Sequence, residues 1–409
     1  MLLNKKKTKN IISVMFVYWI SIIIWQTIRP VGNRSLIDTA MKIVLFLPVL
    51  FYGWKHEKTS QSTATFPYFM FFLVTQLLTL IFDSGEITLS SLITIVFMTV
   101  EVVIFLIFLY RETCKEKMIE KFCISLVIVA IIMCLYNVIF DFDTFSHTFS
   151  GIGGNYGYEC KSFLYSNHEF GLYLSVAILS SLWLLFKRKL KLFPFIILIG
   201  LLGLNLFSTY SRTAILGLVL SVVILTFFYD KRVFLCLLVL GGIALVIVLN
   251  IEYLYKLVFE TVLKGTFENE NVLDEGRMGM YMEELAAFQN GTWLQKFLGQ
   301  GYSGAAKYGG HDAYLIVLLT GGFCMMLLFL FMICFGFYRA FQILRRDKLL
   351  GALLIGYIVF SLLYMFAQTP ILFYSSMDSF FITMISVMLP LYTSNGIRDV
   401  EKFYEGATS

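Results

Sequence analysis

Apolar runs of roughly 17–25 residues recur along this chain, each closed by a short cluster of polar or basic residues. A run of that length, at 1.5 Å of rise per helical residue, matches the ~30 Å hydrocarbon core of a bilayer. In hydrocarbon every backbone N–H and C=O has to be satisfied within its own segment, so such runs fold as helices. A soluble fold is excluded by the same pattern. With 58% hydrophobic residues, 14% charged residues and a mean hydropathy of +0.80, 409 residues hold more apolar surface than one globular interior hides. The expected fold class is therefore an all-α polytopic membrane protein, with residues 1–409 forming a single integral membrane domain.

Twelve spans are read, at 10–28, 36–54, 65–82, 88–110, 122–140, 169–186, 192–208, 213–229, 233–250, 312–338, 349–367 and 371–391. The first follows Lys5, Lys6, Lys7 and Lys9 and is long enough to remain as an anchor. Lysine and arginine then cluster at every second connection: Lys55 and Lys58; Arg111, Lys115, Lys117 and Lys121; Lys187, Arg188, Lys189 and Lys191; Lys231 and Arg232; Arg339, Arg345, Arg346 and Lys348; Arg398 and Lys402. By the positive-inside rule this alternation puts both termini in the cytoplasm. It leaves two long segments, 141–168 and 251–311, on the extracytoplasmic side. The net charge of +5 is spread between apolar runs rather than gathered in a patch, so no nucleic-acid partner is expected.

The seven cysteines include no CxxC pair and mostly lie in or beside apolar runs, so neither a disulfide framework nor a zinc site is expected. Cys160 alone is expected to face the outside.

The long segments contain the chemistry-bearing residues. In FSTYSRTAILGL (207–218), Arg212 occupies a short turn on the outer side, against the positive-inside trend. Its bland role is a snorkelling helix-end cation; its functional role is to hold an anion such as phosphate. In DEGRMGMYMEELAAFQNG (274–291), Met278, Tyr281, Met282, Leu285 and Phe288 recur at helical spacing and form one apolar stripe, expected to lie against lipid or the bundle. Asp274 is the expected N-cap, with Arg277 on the first turn near the positive end of the helix dipole. Arg277 and Glu284 share an edge of the stripe, so an Arg277–Glu284 or Arg277–Asp274 ion pair is the plain alternative to anion binding. In GQGYSGAAKYGGHDAYLIVLLTGG (299–322), Gly299, Gly301, Gly304, Gly309 and Gly310 allow close backbone approach to a ligand. No GK[ST] arrangement follows and no strand precedes, so this is not a nucleotide loop. His311 and Asp312 stand where the tenth span begins. A lone histidine is more often structural, but this one sits where a proton is movable near neutral pH.

Charges within spans are costly and mark candidates. Lys42 and Asp378 fall roughly 10 Å below the outer face, at matching depth, and are read as a pair. Glu101 lies deeper without a nameable partner. Asn167, His168 and Glu169 begin the sixth span, where they cap it or line the same cavity.

Together these pieces resemble the O-antigen polymerase and ligase superfamily. The resemblance rests on Ser211–Arg212 opening a span, the Arg277 helix, the Gly299–Gln300–Gly301 turn, and His311–Asp312–Ala313–Tyr314–Leu315 followed by Gly321–Gly322. Asp312 stands where the family more often has asparagine. The resemblance implies a GT-C-like helical bundle of about twelve spans with a long extracytoplasmic loop, in a bacterial cytoplasmic membrane. It implies a metal-independent glycosyltransferase without cofactor, of the polysaccharide repeat-unit polymerase branch. Its donor is an oligosaccharide on undecaprenyl pyrophosphate, its product a capsule, exopolysaccharide or O-antigen, and its partners a chain-length regulator and a flippase. The catalytic residues it implies are His311, Arg277 and Arg212. Tyr210, Tyr281, Tyr314, Asp312 and Gly301 join Arg212 and Arg277 as candidate substrate-binding residues. Three alternatives stay open: a ligase using the same donor, a twelve-span transporter or flippase, and a purely structural membrane protein. Against the transporter, the two halves have no matching pair of glycine- or proline-interrupted helices.

Overall fold

In the computed structural model the described residues are 115–149, 159–164, 166–256, 277–301, 312–368 and 377–390, with isolated positions 74, 77, 96, 258, 305, 307 and 308. They form helices and no strand. In chain order these are α1 (Lys115–Phe140), α2 (Phe142–His147), α3 (Asn167–Phe186), α4 (Leu192–Ser208), α5 (Arg212–Tyr229), α6 (Lys231–Asn250), α7 (Glu252–Tyr255), α8 (Arg277–Asn290), α9 (Trp293–Leu298), α10 (Ala313–Leu344), α11 (Lys348–Ala367) and α12 (Met377–Thr383), the last running into a π-helical turn at Met384–Met388.

Six of these helices are long and apolar enough to cross a membrane: the Phe122–Phe140 part of α1, then α3, α5, α6, α10 and α11. At 17 residues α4 is shorter, about 25 Å by helical rise. Each coincides with an expected span to within a few residues at most starts; α10 runs six residues past its expected end at 338. The spans expected before residue 111, and with them Lys42 and Glu101, lie outside the described residues, as does the Asp378 side chain.

Hydropathy makes these helices long and apolar enough to span a membrane without deciding which are interior. The apolar window of α6 has none of its residues buried within the protein, whereas in α3 and α11 the share is 78%. An α6 of this composition is stable only where lipid covers its outward leucines and valines.

The chain divides into two compact units. One comprises Glu116–Glu275 with Ala340–Tyr364, and the other contains Gly276–Arg339. In the first unit α3 is the central helix, burying Phe170, Tyr173 and Trp183. Some polar groups inside it are paired: Tyr357 and Ser180 hydroxyls are 2.7 Å apart, and Asn137 Nδ2 donates to Asn205 Oδ1 at 3.1 Å. At one end of this unit Lys187 pairs with Asp347 at 3.0 Å and Lys189 with Glu120 at 3.1 Å. These contacts tie together three connections that the charge alternation assigns to one face. At the other end, Cys160 N donates to Ser208 O and Asn167 Nδ2 to Thr209 O, joining two segments assigned to the opposite face.

Candidate functional site

Arg212 is the first residue of α5, set by a three-residue turn after α4. Thr209 makes that turn. Its hydroxyl donates to Leu206 O at 2.7 Å and accepts from Ser211 N at 3.1 Å. Tyr210 follows with φ 51°, left-handed backbone that costs a non-glycine residue on the order of 1 kcal/mol, and it is buried. Burial pushes its phenol above the ordinary range. The neighbouring α3 abuts this turn closely, since a Cβ on Gly171 would stand 2.9 Å from Ser211 Cβ.

Ser211 occupies the N-cap position of α5 yet makes no capping bond with its side chain. Its hydroxyl instead lies 3.3 Å from His168 Nδ1. The start of α3 is secured separately, by Ser166 accepting from Glu169 N. Among the described residues the Arg212 turn is therefore built from Asn167 and His168 as well as its own hydroxyls. Cys160, expected on the outer side, is fully buried beneath Ser208, and burial pushes its thiol up to about 11. It is a packing residue, because its backbone hydrogen bond fixes it against the end of α4.

The second unit folds the long polar segment into α8 and α9 and seats them on α10. A capping box starts α9, with Thr292 and Gln295 each accepting from the other's backbone. Gly299 ends it at φ 87°. The next N–H, that of Gln300, donates to Leu319 O at 2.7 Å. This carbonyl is available because α10 is kinked at Gly322, which has φ 64° and ψ −162°. The two glycine clusters fit each other: a Cβ on Gly299 would lie 2.0 Å from Thr320 O, and one on Gly322 would lie 2.5 Å from the Phe297 carbonyl. Close approach is thus required here, but to backbone rather than to a ligand. Gly301 is buried at φ 76°.

Asp312 caps α10. Its Oδ1 accepts from Tyr314 N at 2.7 Å and Leu315 N at 3.3 Å. It is buried, which raises its carboxyl pKa, while those two N–H groups pull the other way. The Tyr314 ring stands edge-on to Phe329, centroids 5.5 Å apart.

The amphipathic segment is a helix as its spacing requires, but its buried line differs from the apolar stripe. Glu284 is fully buried, with Tyr281, Ala287 and Phe288 half-buried around it, whereas Met282 is 62% exposed and Leu285 36%. Phe288 meets Phe323 of α10 edge-on at 5.2 Å. Gln300 Nε2 donates to Ala287 O at 3.2 Å, tying α8 to the glycine turn. Neither Glu284 oxygen has a hydrogen-bond partner among the described residues. Burial first, and the Asp312 charge second, push this carboxyl up to about 7.

Glu284 is the residue that sequence reasoning passed over as an edge position or an ion-pair partner. His311, Asp274 and the Arg277 side chain lie outside the described residues, although Arg277 is the first residue of α8. Structure brings Tyr281, Glu284, Gly301, Asp312 and Tyr314 into one unit, and Tyr210 and Arg212 into the other. Among the described residues no three His, Cys, Asp or Glu side chains gather as a metal-ligand set. No protein-family model and no curated protein matches the chain.

Proposed function

We propose that this protein is a glycosyltransferase of the O-antigen polymerase and ligase type, a twelve-span GT-C-like bundle in the bacterial cytoplasmic membrane. It joins lipid-linked oligosaccharide repeat units at the outer face. One observation carries this reading: Arg212 begins α5 with the N-cap hydroxyl turned to His168 instead of to its own helix. A helix start bears partial positive charge and its N–H groups suit an anion, so the Arg212 turn is a place where phosphate oxygens are favoured. Arg277 is likewise the first residue of a helix, α8.

In this reading Arg212 and Arg277 bind the donor's pyrophosphate and offset the charge that grows as the glycosidic bond breaks. His311 meets the acceptor hydroxyl, either taking its proton or orienting it. The acceptor oxygen attacks the anomeric carbon and undecaprenyl pyrophosphate departs. Tyr210, Tyr281, Tyr314, Asp312 and Gly301 line the substrate. Activation travels with the lipid because no nucleotide is at hand outside the cell, which agrees with the lack of any nucleotide loop. The termini are cytoplasmic, and the product is a capsule, exopolysaccharide or O-antigen whose length and supply involve a chain-length regulator and a flippase.

The test is polymer length in cells carrying Arg212→Ala, Arg277→Ala or His311→Ala. Each loses long polymer while its membrane level stays normal. Normal polymer in all three refutes the reading. Capping of a separate acceptor without chain growth identifies a ligase instead.

A further inference from the structure

We propose that Glu284 accepts the proton of the acceptor sugar's hydroxyl, an inference that rests on the glycosyl-transfer reading above and leaves His311 the orienting role. Its basis is the way α8 is rotated. A helix with Met282 and Leu285 on one face and Glu284 about 100° or more round from them has an obvious resting state, with the methionine inside and the glutamate in water. The protein adopts the reverse. Glu284 has no exposed surface, while Met282 is the exposed side chain.

Among the described residues no internal partner explains the burial. Gln300 Nε2 goes to Ala287 O, and the Tyr314 and Leu315 N–H groups go to Asp312 Oδ1. Both Glu284 oxygens are left bare among the described residues. Buried polar atoms are almost always satisfied, and a carboxylate left without partners is strongly disfavoured. A bare one beside a glycine turn and a second buried carboxylate is a group waiting for a hydroxyl.

The two acids are placed in different environments. Asp312 is held by two backbone N–H groups at the helix start, which support its charge. Glu284 has burial and the Asp312 charge against it, and titrates near neutrality at about 7. Asp312, from the head of α10, is the charged group acting on it among the described residues. Burial raises both carboxyls, but the two N–H groups on Asp312 work against its shift, so Asp312 is read as the fixed charge and Glu284 as the proton acceptor. An acceptor matched to neutral pH is the efficient one.

The step balances. The hydroxyl proton passes to the Glu284 carboxylate as the acceptor oxygen forms its bond to the anomeric carbon. The bond from that carbon to the pyrophosphate oxygen breaks, and its electron pair leaves with undecaprenyl pyrophosphate. Glu284 returns its proton to water before the next turnover.

The experiment uses the full chain in liposomes with lipid-linked repeat units extracted from cells lacking the polymerase. Wild type builds a ladder, at a rate that climbs with pH through about 7. Glu284→Gln lowers turnover about 100-fold or more, the usual contribution of a positioned base, with the donor KM little changed and the pH limb gone. Glu284→Asp keeps the limb at reduced rate, and is the variant read if Glu284→Gln fails to reach the membrane. A Glu284→Gln protein with near-normal turnover, or one that keeps the pH limb, overturns the inference alone. So does a Glu284→Asp protein without the limb. A wild type that builds no ladder overturns the glycosyl-transfer reading and the inference together.

Discussion

Replacing Gly322 by alanine separates two explanations of the glycine-rich run: ligand contact, or the mutual fit of α9 and α10. The backbone there, φ 64° with ψ −162°, is a region that essentially only glycine occupies, at a cost to alanine on the order of 1–3 kcal/mol. The added Cβ would also stand 2.5 Å from the Phe297 carbonyl carbon and oxygen and 2.7 Å from Gly299 N. All three are backbone atoms, so no side chain can swing away. Together, displacement of α9 and backbone strain place the loss at about 2–4 kcal/mol, within the range of severe single substitutions. Gly200 is the control, because a Cβ there meets nothing within 4 Å and α4 is helical throughout. Alanine at that site stabilises by about 0.5–1 kcal/mol. The assay is apparent Tm of the full-length proteins in detergent, read beside polymer length in cells. Gly322→Ala melts several degrees below wild type and makes little polymer, and Gly200→Ala matches or exceeds wild type in both. An unchanged Tm for Gly322→Ala refutes the interlock.

Three further outcomes follow from the charges. Glu284 has its folded-state pKa raised from 4.5 to about 7, so its protonated form stabilises the fold. That contribution is complete below about 4.5 and is lost as pH rises through about 7, an amount on the order of 3 kcal/mol. Melts of wild type and Glu284→Gln from pH 4 to 9 therefore diverge upward of pH 5, with the variant the more stable. Asp312→Asn keeps the α10 cap, because asparagine caps as well as aspartate, but removes the like charge beside Glu284. The Glu284 titration and the acid limb of activity both move to lower pH, and an unmoved limb contradicts the coupling. Lys187→Ala breaks the 3.0 Å contact to Asp347, whose partners are part-exposed at 22% and 32%. A pair of that kind is worth about 0–1 kcal/mol, so Tm hardly changes.

Much of the helix layout was legible in the sequence for a physical reason. Apolar runs in a membrane protein end where charge begins, so Arg212, Lys231 and Lys348 mark the starts of α5, α6 and α11. The helical spacing of Tyr281, Leu285 and Phe288 likewise identified α8. Its rotation was not legible. An amphipathic pattern says that two faces differ, and assigns the polar face to water by default. In a membrane protein the apolar face has lipid available, so Glu284 can turn inward at little cost to Met282. Gly299 was read as a ligand contact because its fit to Gly322 spans 23 positions and leaves no local trace. The burial of Cys160 left no local trace because its backbone N–H donates to Ser208 O, in a different segment. The proximity of His168 to Ser211 belongs to the same category, for those residues are 43 apart.

The most direct test of the central claim is made with the purified protein alone in liposomes, supplied with lipid-linked repeat units carrying a labelled sugar. The account predicts a ladder of lengthening glycans, with one undecaprenyl pyrophosphate released for each repeat added, and no ladder from Arg212→Ala. Passage of unaltered lipid-linked repeats across the bilayer, with neither ladder nor released pyrophosphate, contradicts it.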